Sequence, residues 1–238
     1  MNQHLVGSVC GGLFFVMLAG CGPAHGLTPS GRVVADERTV DAFTSVRAVG
    51  TFQVRASPGP RRVTVTADDN LQSAIETTVE GGELVVRTRP GTNLLGFTQL
   101  EVEVQAETLQ GVSVESTARA DVTLSPGVDA LVHAGSSAEA VVSVVDARAV
   151  RVESASSSTV RLSGNAASVA AVVSNSSQLE AAALSAGAVS LDVRAASNVR
   201  VNASGRVSGT VSGASHVVLR GSPVVELQVT EASTLTRE

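Results

Sequence analysis

The chain has 238 residues, 43% of them hydrophobic, 16% charged and 2% aromatic, and a net charge of −5. That leaves ample material for a core but no basic footprint for nucleic acid. All 17 basic residues are arginine, there is no Trp or Tyr, and the two cysteines are Cys10 and Cys21.

Residues 5–18 are mostly apolar and include Leu13-Phe14-Phe15-Val16-Met17-Leu18. The run is short for a membrane span and has the length of a signal-peptide core. It ends in Leu18-Ala19-Gly20-Cys21, which resembles the lipobox of exported bacterial lipoproteins. The expectation is a signal over residues 1–20, with Cys21 as the lipidated first residue of the mature chain. Cys10 leaves with the signal. No thiol or disulfide then remains, which excludes cysteine catalysis and a Cys-based metal site. Met1-Asn2-Gln3-His4 departs from the usual signal in carrying no Lys or Arg. The competing reading is an N-terminal core helix, and Gly7, Gly11 and Gly12 oppose it at about 1 kcal/mol each. Gly22 rather than Asp after the cysteine favours the outer membrane, by analogy with lipoprotein sorting. Residues 21–30 read as a linker.

Residues 31–111 read as a β-rich N-terminal part. Alternating runs such as Val63-Thr64-Val65-Thr66 and Leu100-Glu101-Val102-Glu103-Val104 are separated by turn signals at Ser57-Pro58-Gly59-Pro60, Asp68-Asp69-Asn70, Gly81-Gly82 and Pro90-Gly91. Residues 71–77 fit a short helix or a strand. The region is expected to cover the N-terminal end of the repeats that begin at residue 112, since an open end exposes unpaired backbone and core.

From residue 112 to 238 the chain repeats. Ala120-Asp121-Val122, Glu139-Ala140-Val141, Ser158-Thr159-Val160, Ser177-Gln178-Leu179, Ser197-Asn198-Val199, Ser215-His216-Val217 and Ser233-Thr234-Leu235 succeed one another at intervals of 19, 19, 19, 20, 18 and 18 residues. Each unit carries two alternating runs, as at Val150, Val152, Ser154 and at Val160, Leu162. Small pairs such as Ser156-Ser157, Asn175-Ser176, Ala195-Ala196 and Gly213-Ala214 separate the runs. Two strands and two turns in about 19 residues describe one coil of an all-β solenoid, and seven coils span on the order of 30 Å. In this alignment Val160, Leu179, Val199, Val217 and Leu235 form an interior column. Ser158, Ser177, Ser197, Ser215 and Ser233 line a corner where a hydroxyl can bond nearby backbone.

The chain also carries Phe43-Thr44-Ser45-Val46, Gly50-Thr51-Phe52-Gln53-Val54, the run from Val63 through Asp68-Asp69-Asn70-Leu71, Gly82-Glu83-Leu84-Val85-Val86, and Val217-Val218-Leu219-Arg220-Gly221-Ser222-Pro223. Through these stretches it resembles the autotransporter adhesin head family, the GIN domain, over roughly residues 40–235. The family's coils usually carry Gly-Ser-Gly where this chain has Ser, Ala or Asn. The resemblance implies a right-handed β-helix-like fold and an exported protein. It implies no established activity.

Candidate chemistry is sparse. One outward row reads Thr123, Val142, Arg161, Glu180, Arg200, Val218, Thr236, in which the three charges stack as an ion-pair stripe. Capture of a polar ligand is the competing use. Asp68-Asp69-Asn70 reads as a turn rather than a cation loop, which would need more oxygen ligands. His133 falls in an interior column as a packed residue, and His216 points outward without a metal-ligand partner. Glu139 replaces the corner serine of its unit. No nucleophile–base pairing is legible, and the repeats lack aromatic platforms. The expectation is a non-enzymatic, lipid-anchored protein of the outer membrane, without cofactor or metal, that binds, adheres or scaffolds. Its partners would be the membrane, an envelope protein or glycan, and a second copy at the C-terminal coil, which ends at 233–238 without a capping element. The alternatives are a polysaccharide-active solenoid enzyme, recognisable by three or more ionisable residues in one groove, and an envelope sensor or assembly factor.

Overall fold

The computed structural model describes residues 25–238. The expected export signal and Cys21 lie outside the described residues. In chain order the strands are β1 His25–Leu27, β2 Val33–Glu37, β3 Ser45–Gly50, β4 Gln53–Pro58, β5 Arg62–Asp68, β6 Ile75–Glu80, β7 Glu83–Thr88, β8 Thr92–Leu94 and β9 Leu100–Ala106. Next come β10 Gly111–Ser116, β11 Arg119–Thr123, β12 Asp129–Ala134, β13 Glu139–Ser154, β14 Thr159–Val173, β15 Gln178–Val193, β16 Asn198–Val211, β17 His216–Arg220, β18 Val224–Val229 and β19 Thr234–Arg237. A 3-10 turn, Gln72–Ala74, precedes β6, so the ambiguous segment 71–77 holds both a helical turn and the start of a strand. Among the described residues no helix is long and apolar enough to cross a membrane.

The strands wind into a β-solenoid with two broad faces. On the first face β3, β10, β12, the second halves of β13 to β16, and β18 stack in parallel. On the second face β4, β11, the first halves of β13 to β16, β17 and β19 do the same. The register fixes the coil length. The column Ala120, Ala140, Val160, Leu179, Val199, Val217, Leu235 advances by 20, 20, 19, 20, 18 and 18 residues, which is six turns.

This register corrects the first two repeat units. The partner of Val160 is Ala140 rather than Val141, and Val122 belongs with Val142 and Leu162. On the other face Val132 rather than Leu131 lies beside Val112. Val132 is fully buried, whereas Leu131 is 52% exposed. The run Ala140-Val141-Val142-Ser143-Val144-Val145 is apolar in both phases, so alternation alone does not choose between them. A one-residue slip exchanges inside and outside for every side chain. Its consequences are that His133 points outward, Val142 is core, and the corner residue of that unit is Ala138 rather than Glu139.

The sharp corner is built from two consecutive residues in the left-handed conformation. The pairs are Ser136 and Ser137, Ser156 and Ser157, Asn175 and Ser176, Ala195 and Ala196, Gly213 and Ala214, and Glu231 and Ala232, all with φ between 53° and 70°. Non-glycine residues rarely adopt this geometry. Stacking holds it: the second N–H of each corner donates to the next, as in Ser157 to Asn175 O at 2.9 Å and Ala196 to Gly213 O at 2.7 Å. Inside the corner the expected serine column forms a ladder. The N–H of Ser177 donates to Ser197 Oγ at 3.3 Å, that of Ser197 to Ser215 Oγ at 3.2 Å, and that of Ser215 to Ser233 Oγ at 3.1 Å. Ser158 Oγ donates to Ala134 O at 2.8 Å and lies 2.9 Å from Ser154 Oγ.

The N-terminal part does cover one end, by a route the sequence does not reveal. β3 and β4 are already a coil, in register with β10 and β11. After β4 the chain leaves to build a lid and re-enters on the far side. β7 and β9 lie parallel to the outer edges of β3 and β4. β6 closes the first face antiparallel to β7, and β5 and then β2 close the second. One hydrophobic core runs from Phe43 to Leu219 through the boundary expected near residue 111. Within the segment read as a linker, β1 pairs with β8.

Candidate functional site

Asp68-Asp69-Asn70 is a clasp. Asp68 is fully buried and its carboxylate accepts from the N–H of Thr98 (2.8 Å), the Thr98 hydroxyl (2.8 Å) and the N–H of Gly31 (2.8 Å). The Thr98 N–H bond does most to hold its carboxyl below the usual aspartate value, against the opposing effect of burial. Asp69 is held low first by the Ser30 hydroxyl and then by Arg32, whose Nε lies at 2.7 Å. Asn70 receives the N–H of Ser30 at 3.1 Å and donates to Thr28 O at 2.8 Å. The turn therefore straps residues 28–32 onto the lid. The oxygens that a cation would need are spent on the protein's own donors.

The predicted charge stripe exists in part. In register the row reads Asp121, Val141, Arg161, Glu180, Arg200, Val218, Thr236. Arg200 Nη1 approaches Glu180 Oε2 at 3.7 Å, while Arg161 turns to Glu139, which also meets Arg119 at 3.4 Å. These exposed pairs contribute at most about 1 kcal/mol each. His133 Nδ1 lies 3.4 Å from Glu153, and His216 contacts Thr234 Oγ1 of the next coil. Among the described residues no three His, Cys, Asp or Glu side chains gather as a metal site.

Two surface recesses escape sequence reasoning. The first, of about 340 Å³, opens on the second face where the lid meets the solenoid, and gathers Arg55, Arg62, Glu103 and Asp121 with Ser57, Thr64 and Gln105. Arg55 stands between Glu103 and Asp121 in register, yet its guanidinium pairs diagonally with Glu101. Glu103 and Asp121 have no ion-pair partner among the described residues, nor does Arg62. The grouping depends on β9, β4 and β11 lying side by side, which the chain's re-entry creates and no local pattern announces. The second recess, of about 560 Å³, crosses the first face from β12 to β16. Ala149, Ser168, Ala188, Ala170 and Ser190 form its floor, with Leu131, Arg151 and Arg206 at its margins. An interior assignment of Leu131 hides it from sequence reasoning.

Known folds and families agree with this geometry. A crystal structure of a "putative adhesin" from Bacteroides fragilis superimposes with a TM-score of 0.78 at 19% identity, covering 89% of this chain and 100% of that one. A "putative adhesin" from Parabacteroides merdae gives 0.71 at 16% identity, with 90% and 100% covered. A "putative lipid binding protein" from Parabacteroides distasonis gives 0.70 at 14%, with 90% and 99% covered. At these identities the likeness establishes the fold. Among curated proteins none matches the chain. Residues 42–223 match the family described as "Putative auto-transporter adhesin, head GIN domain", a span from the residue before Phe43 to the Pro223 turn, and the chain belongs to that family.

Proposed function

We propose that this chain is a non-enzymatic, lipid-anchored protein of the cell envelope that binds, adheres or scaffolds. Membership of an adhesin-named family, matched over residues 42–223, carries the reading, and it suggests an envelope or extracellular setting. The solenoid supports it physically. Six turns of parallel ladder hold two broad faces rigid, so exposed side chains are presented at a fixed spacing of about 4.8 Å. Cys21 is the proposed tether to the outer membrane, and β1, held by β8 and followed by the strap over residues 28–32, is the first part of the chain fixed to the folded body. A binding role predicts that crosslinking in intact cells captures the same envelope protein or glycan with wild type, and loses it when Cys21→Ser frees the chain from the membrane. Equal capture by both forms contradicts an anchor-dependent role.

A second reading is favoured by one observation. The cleft at the lid holds four ionisable residues, Arg55, Arg62, Glu103 and Asp121, and paired carboxylates are what polysaccharide hydrolysis uses. Release of reducing ends from an envelope polysaccharide by the wild type, abolished by Glu103→Gln or Asp121→Asn, would establish that reading over the first.

A further inference from the structure

We propose that the groove on the first face binds a single-chain anionic amphiphile, an acyl chain ending in a carboxylate or phosphate. The floor is the outer surface of the stacked strands β12 to β16. No floor side chain reaches beyond Ser, so the depth comes from side-chain length missing at Ala149, Ala170 and Ala188. Leu131 stands at one wall with 52% of its surface exposed, and an exposed aliphatic beside a small-residue floor suits hydrocarbon.

Two further observations narrow the ligand. The floor strands are internal to the sheet, and their N–H and C=O groups are engaged in the ladders on either side. An extended peptide laid there would find no backbone partner, which removes strand addition as a mode of binding. Hydrocarbon loses nothing on such a surface. Charge then selects the head group. Arg148 pairs with Asp129 at 2.9 Å and Arg206 with Glu226 at 3.1 Å. Arg151, beside Leu131 in register, has no acidic partner among the described residues. A free guanidinium next to an apolar trough is complementary to an anion at the end of an alkyl chain.

The inference stands apart from the lipid proposed on Cys21, because labelling at that residue and occupancy of the groove are read separately. The test uses the full chain carrying Cys21→Ser, titrated below micellar concentrations with laurate, decanoate, dodecyl maltoside and dodecyltrimethylammonium. Calorimetry and native mass spectrometry should show a single laurate per chain, with decanoate several-fold weaker. Arg151→Gln should weaken laurate about tenfold and leave dodecyl maltoside unchanged. Ala170→Leu with Ala188→Leu, both at exposed positions, should abolish laurate binding without lowering the melting temperature. The proposal is overturned if laurate does not bind, if the cationic detergent binds as tightly, or if the filled groove binds as well as the open one. It is also overturned if filling the groove converts a dimer to a monomer, since the face would then belong to a second copy.

Discussion

Replacing Ala195 and Ala196 by glycine should stabilise this protein, although both changes delete a methyl group. The two residues form one corner of the solenoid at φ 56° and 58°. An L-residue in that region is strained by roughly 1–2 kcal/mol. Glycine removes the strain but adds backbone freedom to the unfolded chain, which offsets about 0.4–1 kcal/mol. Neither methyl group is in the core, and the bonds of the corner, Ser176 N–H to Ala195 O at 2.9 Å and Ala196 N–H to Gly213 O at 2.7 Å, use backbone that glycine keeps. The net gain is therefore about 0.5–1 kcal/mol per site, or about 2–6 °C in melting temperature for the double variant. Gly213→Ala in the adjacent corner should do the reverse. That residue has φ 67°, and an added Cβ would stand 2.7 Å from Ala195 N. Thermal melts followed by circular dichroism, with urea midpoints as a second measure, decide the matter. A double variant that melts below the wild type would refute this view of the corner, because stacking would then require the methyl groups.

The same geometry sets other outcomes. Val132→Asp should cost more than about 3 kcal/mol by burying an unpaired charge, while Leu131→Asp should stay within about 0.5 kcal/mol; urea denaturation of the two variants tests the corrected register directly. Ser177 Oγ is buried without a hydrogen-bond partner, so Ser177→Ala should be neutral or stabilising, whereas Ser158→Ala loses two bonds and about 1–2 kcal/mol. Gly209→Ala should lower the melting temperature sharply, since its Cβ would fall 1.9 Å from Leu191 O at φ 126°. Asp68 has a folded pKa below its ordinary 3.8. Its contribution is complete above that value and is lost as the pH falls through the lower folded one. The protection of the Gly31 and Thr98 amides from hydrogen exchange, taken relative to the intrinsic rate at each pH, should fall as the pH drops below that ordinary value in the wild type, and Asp68→Asn should lack it already at neutral pH.

Legibility in the sequence depends on whether neighbouring positions differ in polarity. From Val150 onward each coil alternates small or charged residues with Val and Leu, and the interior columns, the Ser158-to-Ser233 corner and the Ala195-Ala196 type of turn can be read directly. Around Val141-Val142 and Leu131-Val132 both phases are apolar, so the register there is set by pairing with β11 and β10 rather than by pattern. The wrong phase carries His133 inside, moves Glu139 to the corner and conceals the groove at Leu131. The lid is legible as strands and turns only. Its insertion on the far side of β3 and β4, which assembles Arg55, Glu103 and Asp121, is a non-local choice of edge. Asp68-Asp69-Asn70 reads correctly as a turn, but its role as a clasp on residues 28–32 needs the fold.

The proposed function turns on whether this solenoid is tethered to a membrane through Cys21. Cells fed an alkyne-bearing fatty acid, with the chain isolated and coupled to a reporter, give the answer in one measurement. A tether at Cys21 predicts label on the wild-type chain in the outer-membrane fraction and no label on Cys21→Ser. Label that persists on Cys21→Ser, or a wild type that carries none, would contradict it.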